Sequence, residues 1–378
     1  MPEEKQPPKL PWLSRLLALW IFLAMLTGLL LGAFVPSAST ALQRGSFAHV
    51  SGPLAAGLLV MMYPILCGVQ FSSLSSLRRD SRVWRHVAAS VAVNWAVAPL
   101  VMTAWAWAFL WDRQDLRMGV VLVGLGRCIA MVFVWSAMAG GDTAYCALLV
   151  AINSLLQLVL FAPLSAALLR IDSSSAANIS PPYSLVATSV GVFLGLPLAA
   201  AVLTQAAFLL LSTRAAYTSF VGKIAPISLL GLVYVIIVLF ASQGARVVHQ
   251  IAAVARVSVP LVVYFVVLFF AVLGVARRAG VPYEVAVVQA LTAASNNFEL
   301  AIAVAVAVYG ADSGQALAAT VGPLVEVPVL VGLVYVSRWL RERLSWGEAV
   351  KQGSIEEGEV KGGAIEESAV KQEADREK

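Results

Sequence analysis

The chain has 378 residues, of which 60% are hydrophobic and 12% charged, with a formal net charge of +5. That balance excludes an ordinary soluble domain, where about a quarter of residues are charged, and predicts an integral membrane protein embedded in the lipid bilayer. Three cysteines without a CxxC pair exclude a disulfide framework and a structural zinc site, and a basic balance spread over membrane flanks implies no nucleic-acid partner.

Apolar runs long enough to cross a bilayer, about 20 residues each, fall at 16–35, 53–71, 87–110, 118–139, 143–169, 183–211, 224–243, 257–276, 284–309 and 315–337. These runs are too long and continuous for barrel strands, so an all-α membrane protein of ten transmembrane helices is expected. The first run lacks a small-residue cleavage site after a short apolar stretch and is expected to be retained.

The second run carries Cys67 in MMYPILCG and the third carries Asn94, both read as packing or interhelical hydrogen-bonding residues. The fourth contains GLGRCIAMVFVW, residues 124–135, which sets Arg127 beside Cys128 at mid-depth. An ionisable group there costs roughly 2.5–3.5 kcal/mol on insertion scales, so it marks function by default. Helix neighbours point about 100° apart; both side chains reach one pocket only if the helix breaks, and Gly124 and Gly126 favour a break. Two uses of Arg127 remain open: it pairs with a buried carboxylate, or it polarises the Cys128 thiol. Cys146, Asn153 and Gln157 in the fifth run read as packing and interhelical groups.

The ninth run holds ASNNFELAIAVAVAVYG, residues 294–310. There Ser295, Asn296 and Asn297 supply the donors and acceptors that an unwound helix requires, and Glu299 follows. A buried carboxyl holds its proton more readily, which suits Glu299 to proton exchange; its plain alternative is a static ion pair with Arg127. The tenth run contains GPLVEVPVL, with Glu326 between Pro323 and Pro328; it either lines a cavity or satisfies backbone freed by the prolines. His49, His86 and His249 lie in loops or at span edges, so no histidine metal site is expected.

A shift of 170 residues lays the junction in GGDTAYCALLV on that in YGADSGQALAA, so that Asp142 meets Asp312 and Cys128 meets Phe298, next to Glu299. Five spans per half is odd, so the halves are expected to be inverted repeats, about 14–170 and 181–340, as secondary transporters have. Lys and Arg number fourteen on one side, from Lys5, Lys9 and Arg15 through Arg78 and Arg79 to Arg338, Arg341 and Arg343. The other side has six, including Arg44, which puts both termini in the cytoplasm. Trp12, Trp20, Trp84, Trp111 and Trp339 read as interfacial anchors. The transporter domain is expected over 1–340, with a polar, disordered cytoplasmic tail over 341–378, where GSIEEGEVK is echoed by GAIEESAVK.

GLGRCIAMVFVW, GGDTAYC, NSLLQ, ASNNFELAIAVA and GPLVEVPVLV together closely resemble the arsenical-resistance arsenite efflux permeases of the bile acid/arsenite/riboflavin transporter superfamily. The resemblance covers nearly all of 14–340. It implies a core domain with discontinuous, crossing fourth and ninth helices and a panel domain of the first, second, sixth and seventh. It also implies that Cys128 and Glu299 are the residues essential for transport. Ser136, and the lack of charged residues in YPILCGVQFSSL at 63–74, depart from the family pattern as the resemblance draws it.

Chemistry and resemblance lead to one expectation. The substrate is arsenite, with antimonite as an analogue, and Cys128 is its arsenic(III) contact because soft centres prefer thiols. No GxxxxGK[ST] nucleotide-binding loop is present, no cofactor is expected, and uphill efflux across the plasma membrane would use protons carried by Glu299. Arg127 would act as its electrostatic partner, with Asn296, Asn297 and Glu326 completing the site. The alternative is a sodium-coupled organic-anion symporter of the same superfamily; an enzyme is not expected, since neither HExxH nor a buried Ser/His or Asp/Asp pair is apparent.

Overall fold

The computed structural model describes residues 17–35, 37, 41–42, 45–69, 81–172 and 182–347. Lys5, Lys9, Trp12, Arg15, Arg44, Arg78, Arg79 and the echoed tail sequences lie outside the described residues. The described chain is almost wholly helical. Its helices are α1 (Leu17–Phe34), α2 (Gly52–Cys67), α3 (Ser81–Ala92), α4 (Ala98–Phe109), α5 (Gln114–Leu125), α6 (Met131–Ala139) and α7 (Thr143–Asp172), followed by α8 (Tyr183–Val190), α9 (Leu196–Leu211), α10 (Arg214–His249), α11 (Ile251–Arg278), α12 (Tyr283–Ala294), α13 (Phe298–Tyr309) and α14 (Gly314–Arg343). A two-residue antiparallel pair, β1 (Ser46–Phe47) with β2 (Val50–Ser51), precedes α2.

Seven helical segments are long and apolar enough to cross a membrane, while α1 and α2 are shorter apolar helices. Each predicted apolar run falls on a helix or on a closely joined pair. Two of these joins are single wide turns, at Val93–Val97 between α3 and α4 and at Gly191–Gly195 between α8 and α9. Each wide turn ends two residues before a proline, Pro99 and Pro197. Proline has no N–H and its ring crowds the carbonyl four residues back, so a widened turn lets the helix continue where a regular one would kink.

Two other joins are true breaks. The fourth run is interrupted at residues 126–130, between α5 and α6, and the ninth at 295–297, between α12 and α13. The expected polar tail from 341 begins later: Arg341 and Arg343 complete α14, and Trp346 packs edge-on against Tyr283 at 5.1 Å.

The helices pack as two groups. In one, α10 lies along α1 and α2, and α9 covers α2; in the other, α11 and α14 hold together α4, α5, α12 and α13. The α1–α10 contact depends on small residues, which let helices approach when there is no aqueous driving force between them. A Cβ added at Gly32 would lie 2.6 Å from the Ala241 carbonyl oxygen, and one at Gly28 2.7 Å from that of Ile237. Asp112 in the α4–α5 connection is bonded by the Arg256 guanidinium, which holds its carboxyl below the usual carboxylate range. Nearby, the buried Arg117 donates to the carbonyls of Leu110 at 3.1 Å and Trp111 at 2.8 Å and lies over the Trp107 ring.

Overpacking a filled contact costs about 1–3 kcal/mol. Gly32→Val should therefore lower the melting temperature of the purified protein by several degrees, whereas Gly222→Ala, with nothing within 4 Å of its added Cβ, should leave it unchanged. Thermal unfolding in detergent checks both.

Candidate functional site

The two breaks meet. The Asn297 backbone N–H donates to the Gly126 carbonyl at 3.2 Å, and the Asn296 amide donates to the carbonyls of Val123 and Gly126, both at 3.0 Å. Helix ends leave their last four carbonyls and first four N–H groups unpaired, and in lipid no water is available to satisfy them. Asn296 supplies the missing donors at the end of α5. Asn297 supplies an acceptor at the start of α13, taking the Leu300 N–H at 3.1 Å.

Gly126 is required for proximity. Its backbone is ordinary extended chain (φ −74°, ψ 127°), but a Cβ there would sit 2.7 Å from the Asn297 carbonyl oxygen. The glycine that sequence reasoning linked to unwinding is thus the point where the two broken helices touch.

Arg127 is fully buried. Its guanidinium donates to the Gly124 carbonyl at the end of α5, to the Ala293 carbonyl at the end of α12 (3.3 Å) and to the Tyr264 hydroxyl of α11 (3.2 Å). Tyr264 in turn donates to the same Ala293 oxygen at 3.0 Å. The negative ends of two half-helices therefore face one cation, the favourable sense for the helix dipole. Among the described residues Arg127 forms no ion pair with Glu299, so the static pair considered from sequence is absent.

Cys128 and Glu299 occupy the opposite, positive ends of the broken helices. The Cys128 Sγ accepts the Val132 N–H at 3.3 Å in the first turn of α6, and Glu299 lies in the first turn of α13. Half-helix N-termini favour electron-rich groups. Glu326, fully buried on α14, accepts from the Ser295 hydroxyl at 2.5 Å and the Asn296 N–H at 3.3 Å with one carboxylate oxygen; the other has no partner among the described residues. The backbone group it satisfies belongs to the break at 295–297 rather than to its own proline-bearing helix, and its second oxygen is left as an acceptor.

Glu299 faces a crevice between the two helix groups, lined on one side by Ile21, Leu54 and Leu239 and on the other by Met131, Ile302 and Pro323. The room inside is about 10 Å³, the least that admits a single water. Around the breaks several buried polar atoms lack partners among the described residues: Arg127 Nε, Gln157 Nε2, Asn296 Oδ1, Asn297 Nδ2 and Glu326 Oε2. Leaving such groups unmade costs about 1–3 kcal/mol each, which is sustained where a polar ligand or water completes the set.

Other sequence candidates make contacts that hold helices and backbone together. Asn153 accepts from Trp95 at 3.0 Å across two helices, whereas Asn94 bonds back to Ser90 on its own helix. Gln157 accepts the Arg127 backbone N–H. Cys67, Cys128 and Cys146 are all free and buried, and among the described residues no group of three His, Cys, Asp or Glu is placed to hold a metal ion. Tyr264 was not singled out from sequence; it lies in an apolar stretch whose only signal is a mid-span hydroxyl.

A bundle of apolar helices with two broken helices crossing at a polar centre is the architecture of a multi-pass membrane transport protein. Comparison with known proteins places it further. Residues 55–250 match the sodium bile acid symporter family. The chain is 43% identical to the arsenical-resistance protein Acr3 of Corynebacterium glutamicum over 90% of its length and 92% of the relative's. It is 31% identical to the Acr3 of Alkaliphilus metalliredigens over 87% and 93%, and 33% identical to an uncharacterized transporter of Synechocystis over 86% and 88%. The chain belongs to the arsenical-resistance permeases within the sodium bile acid symporter family.

If Arg127 acts mainly by neutralising helix-end carbonyls, Arg127→Met should lower the melting temperature markedly and Arg127→Lys by less, while Glu299→Gln leaves it near wild type. Equal destabilisation by Arg127→Met and Glu299→Gln would instead indicate an Arg127–Glu299 pair.

Proposed function

We propose that this protein exports arsenite across the plasma membrane in exchange for protons, with antimonite as an analogous substrate. The observation that carries this reading is the placement of Cys128 and Glu299 at the N-terminal ends of two half-helices whose breaks meet, with Glu299 lining a crevice between two packed groups of helices. The arsenical-resistance names of two relatives supply the substrate.

Arsenite near neutral pH is mainly the uncharged trihydroxide of a soft element, and thiols are its preferred side-chain ligands. The Cys128 thiol exchanges for one arsenic-bound hydroxyl, forming an S–As bond while its proton leaves with that oxygen as water; hydrolysis reverses the step. A single sulfur keeps the contact exchangeable. The partnerless amides of Gln157, Asn296 and Asn297 and the free oxygen of Glu326 are suited to the remaining arsenic-bound hydroxyls. The protein is not an enzyme on this reading: the substrate emerges unchanged.

Moving a neutral solute uphill requires an ion gradient, and Glu299 is the proton carrier. Buried between helices, its carboxyl is costly as an anion, so taking up and releasing a proton changes the energy of the closed interface. Arg127 acts here as the neutraliser of helix-end carbonyls, in place of its expected role as partner of Glu299.

The architecture proposed for this mechanism is ten transmembrane helices in two inverted five-helix repeats, with both termini cytoplasmic. α1, α2, α10 and the α8–α9 pair form the panel, and the remaining helices form the core. Transport is then largely rigid movement of one group against the other around the crevice that Glu299 faces.

Everted membrane vesicles test this. Wild type should accumulate arsenite only when a proton gradient is imposed, and a protonophore should abolish uptake. Cys128→Ser and Glu299→Gln should each reduce uptake at least about tenfold, about 1.4 kcal/mol of transition-state or binding energy, with normal amounts of protein in the membrane. Uptake driven by sodium, or Cys128→Ser at wild-type rate, would overturn the proposal.

A further inference from the structure

A second cavity lies apart from the crevice of Glu299 and shares none of its lining residues. It has about 270 Å³ of free room and is formed where the end of α2, the later part of α9 and the start of α10 converge. Its polar groups are Gln205, Arg214, Tyr217 and Thr218. Among the described residues no carboxylate lines it.

Two of these groups are already committed. The Tyr217 hydroxyl donates to the Cys67 carbonyl at 2.6 Å, and the Thr218 hydroxyl donates to the Arg214 carbonyl at 3.0 Å. The other two are not. Gln205 is 8% exposed, and its side-chain amide makes no hydrogen bond among the described residues although it borders the cavity. A buried amide without a partner costs free energy unless a ligand or water completes it. Arg214 has neither a carboxylate nor a hydrogen-bond acceptor among the described residues.

The local fields agree in sign. Arg214 is the first residue of a 36-residue helix, whose N-terminal end carries positive potential. Guanidinium forks match phosphate oxygens in geometry. The surroundings are apolar: Leu209 lines the cavity, and the neighbouring Leu210 and Leu211 are 84% and 86% exposed at the surface where lipid chains would lie. A charged headgroup beside exposed leucines is what a membrane lipid presents at the interface.

We propose that this cavity binds the phosphate group of an anionic phospholipid, with Arg214 as its charge partner and the Gln205 amide as its neutral donor. The bound headgroup braces α2, α9 and α10 at one end, on the side of the molecule that carries neither Cys128 nor Glu299. Free phosphate shares the chemistry but lacks the chains that would cover Leu209, Leu210 and Leu211.

The test uses the full-length purified protein in detergent, with thermal unfolding and native mass spectrometry as readouts and phosphatidylglycerol, phosphatidylcholine or inorganic phosphate as probes. Phosphatidylglycerol should raise the melting temperature of wild type and of Lys223→Ala, an exposed cation outside the cavity, and should remain bound in the mass spectrum. In Arg214→Ala the lipid concentration needed for half the shift should rise about tenfold or more, with Arg214→Lys intermediate and Gln205→Leu also weakened. Equal shifts for Arg214→Ala and Lys223→Ala would overturn the site, as would equal effects of phosphatidylcholine. Inorganic phosphate alone reproducing the whole shift would overturn the lipid assignment in favour of a free anion. None of these outcomes depends on arsenite transport, so the site fails or stands separately from the proposed antiport.

Discussion

The Arg127 guanidinium bridging the carbonyl ends of two half-helices is the contact on which the polar centre depends. Breaking a helix inside a membrane exposes backbone groups that neither lipid nor distant water can satisfy. Here one planar cation, with donors in a fixed fork, reaches Gly124 at the end of α5 and Ala293 at the end of α12, and Tyr264 adds a donor to the second. Asn296 and Asn297 close the remaining gap by pairing with Val123 and Gly126. The cost of burying a charge is thus offset by the backbone it satisfies, and a membrane helix can be broken twice at one place.

That arrangement fixes the polarity of the site. With both negative helix ends directed at Arg127, the positive ends of α6 and α13 are left for Cys128 and Glu299. A thiol at a helix N-terminus and a carboxylate at another are placed by backbone direction, with little dependence on side-chain neighbours. Glu326 then ties α14 to the second break through Ser295 and Asn296. Five polar atoms around this centre are left without partners among the described residues, a cost concentrated where the two breaks meet.

The same economy shapes the scaffold. Small residues at Gly28 and Gly32 bring α1 onto α10 with almost no space between backbones, making a compact unit of the helices that face Glu299. Prolines that would kink a helix are absorbed by widened turns at Val93–Val97 and Gly191–Gly195. Rigid groups of helices meeting at one interface are the mechanical requirement of the proposed exchange, because motion concentrates where packing is weakest.

Much of this was legible in the sequence. Helix-length apolar runs declare themselves because lipid demands them, and Arg127, Cys128, Asn296, Asn297 and Glu299 stand out because a polar or reactive group in an apolar run is costly unless used. The break at Ser295–Asn297 was readable for the same reason: side chains that replace backbone partners have a composition. What the sequence could not supply were partners that lack a signature. Carbonyls such as those of Gly124 and Ala293 exist at every residue, so only the crossing of the chain selects them. The pairing of Arg127 with Glu299 was a reasonable inference from charge alone, yet the fold directs the guanidinium to helix ends instead. Tyr264 and the cavity of Gln205 and Arg214 likewise arise from helices remote in sequence. Residue chemistry determined what must be buried and at what cost, and the tertiary structure decided which groups meet, because direction and distance between helices are properties of packing.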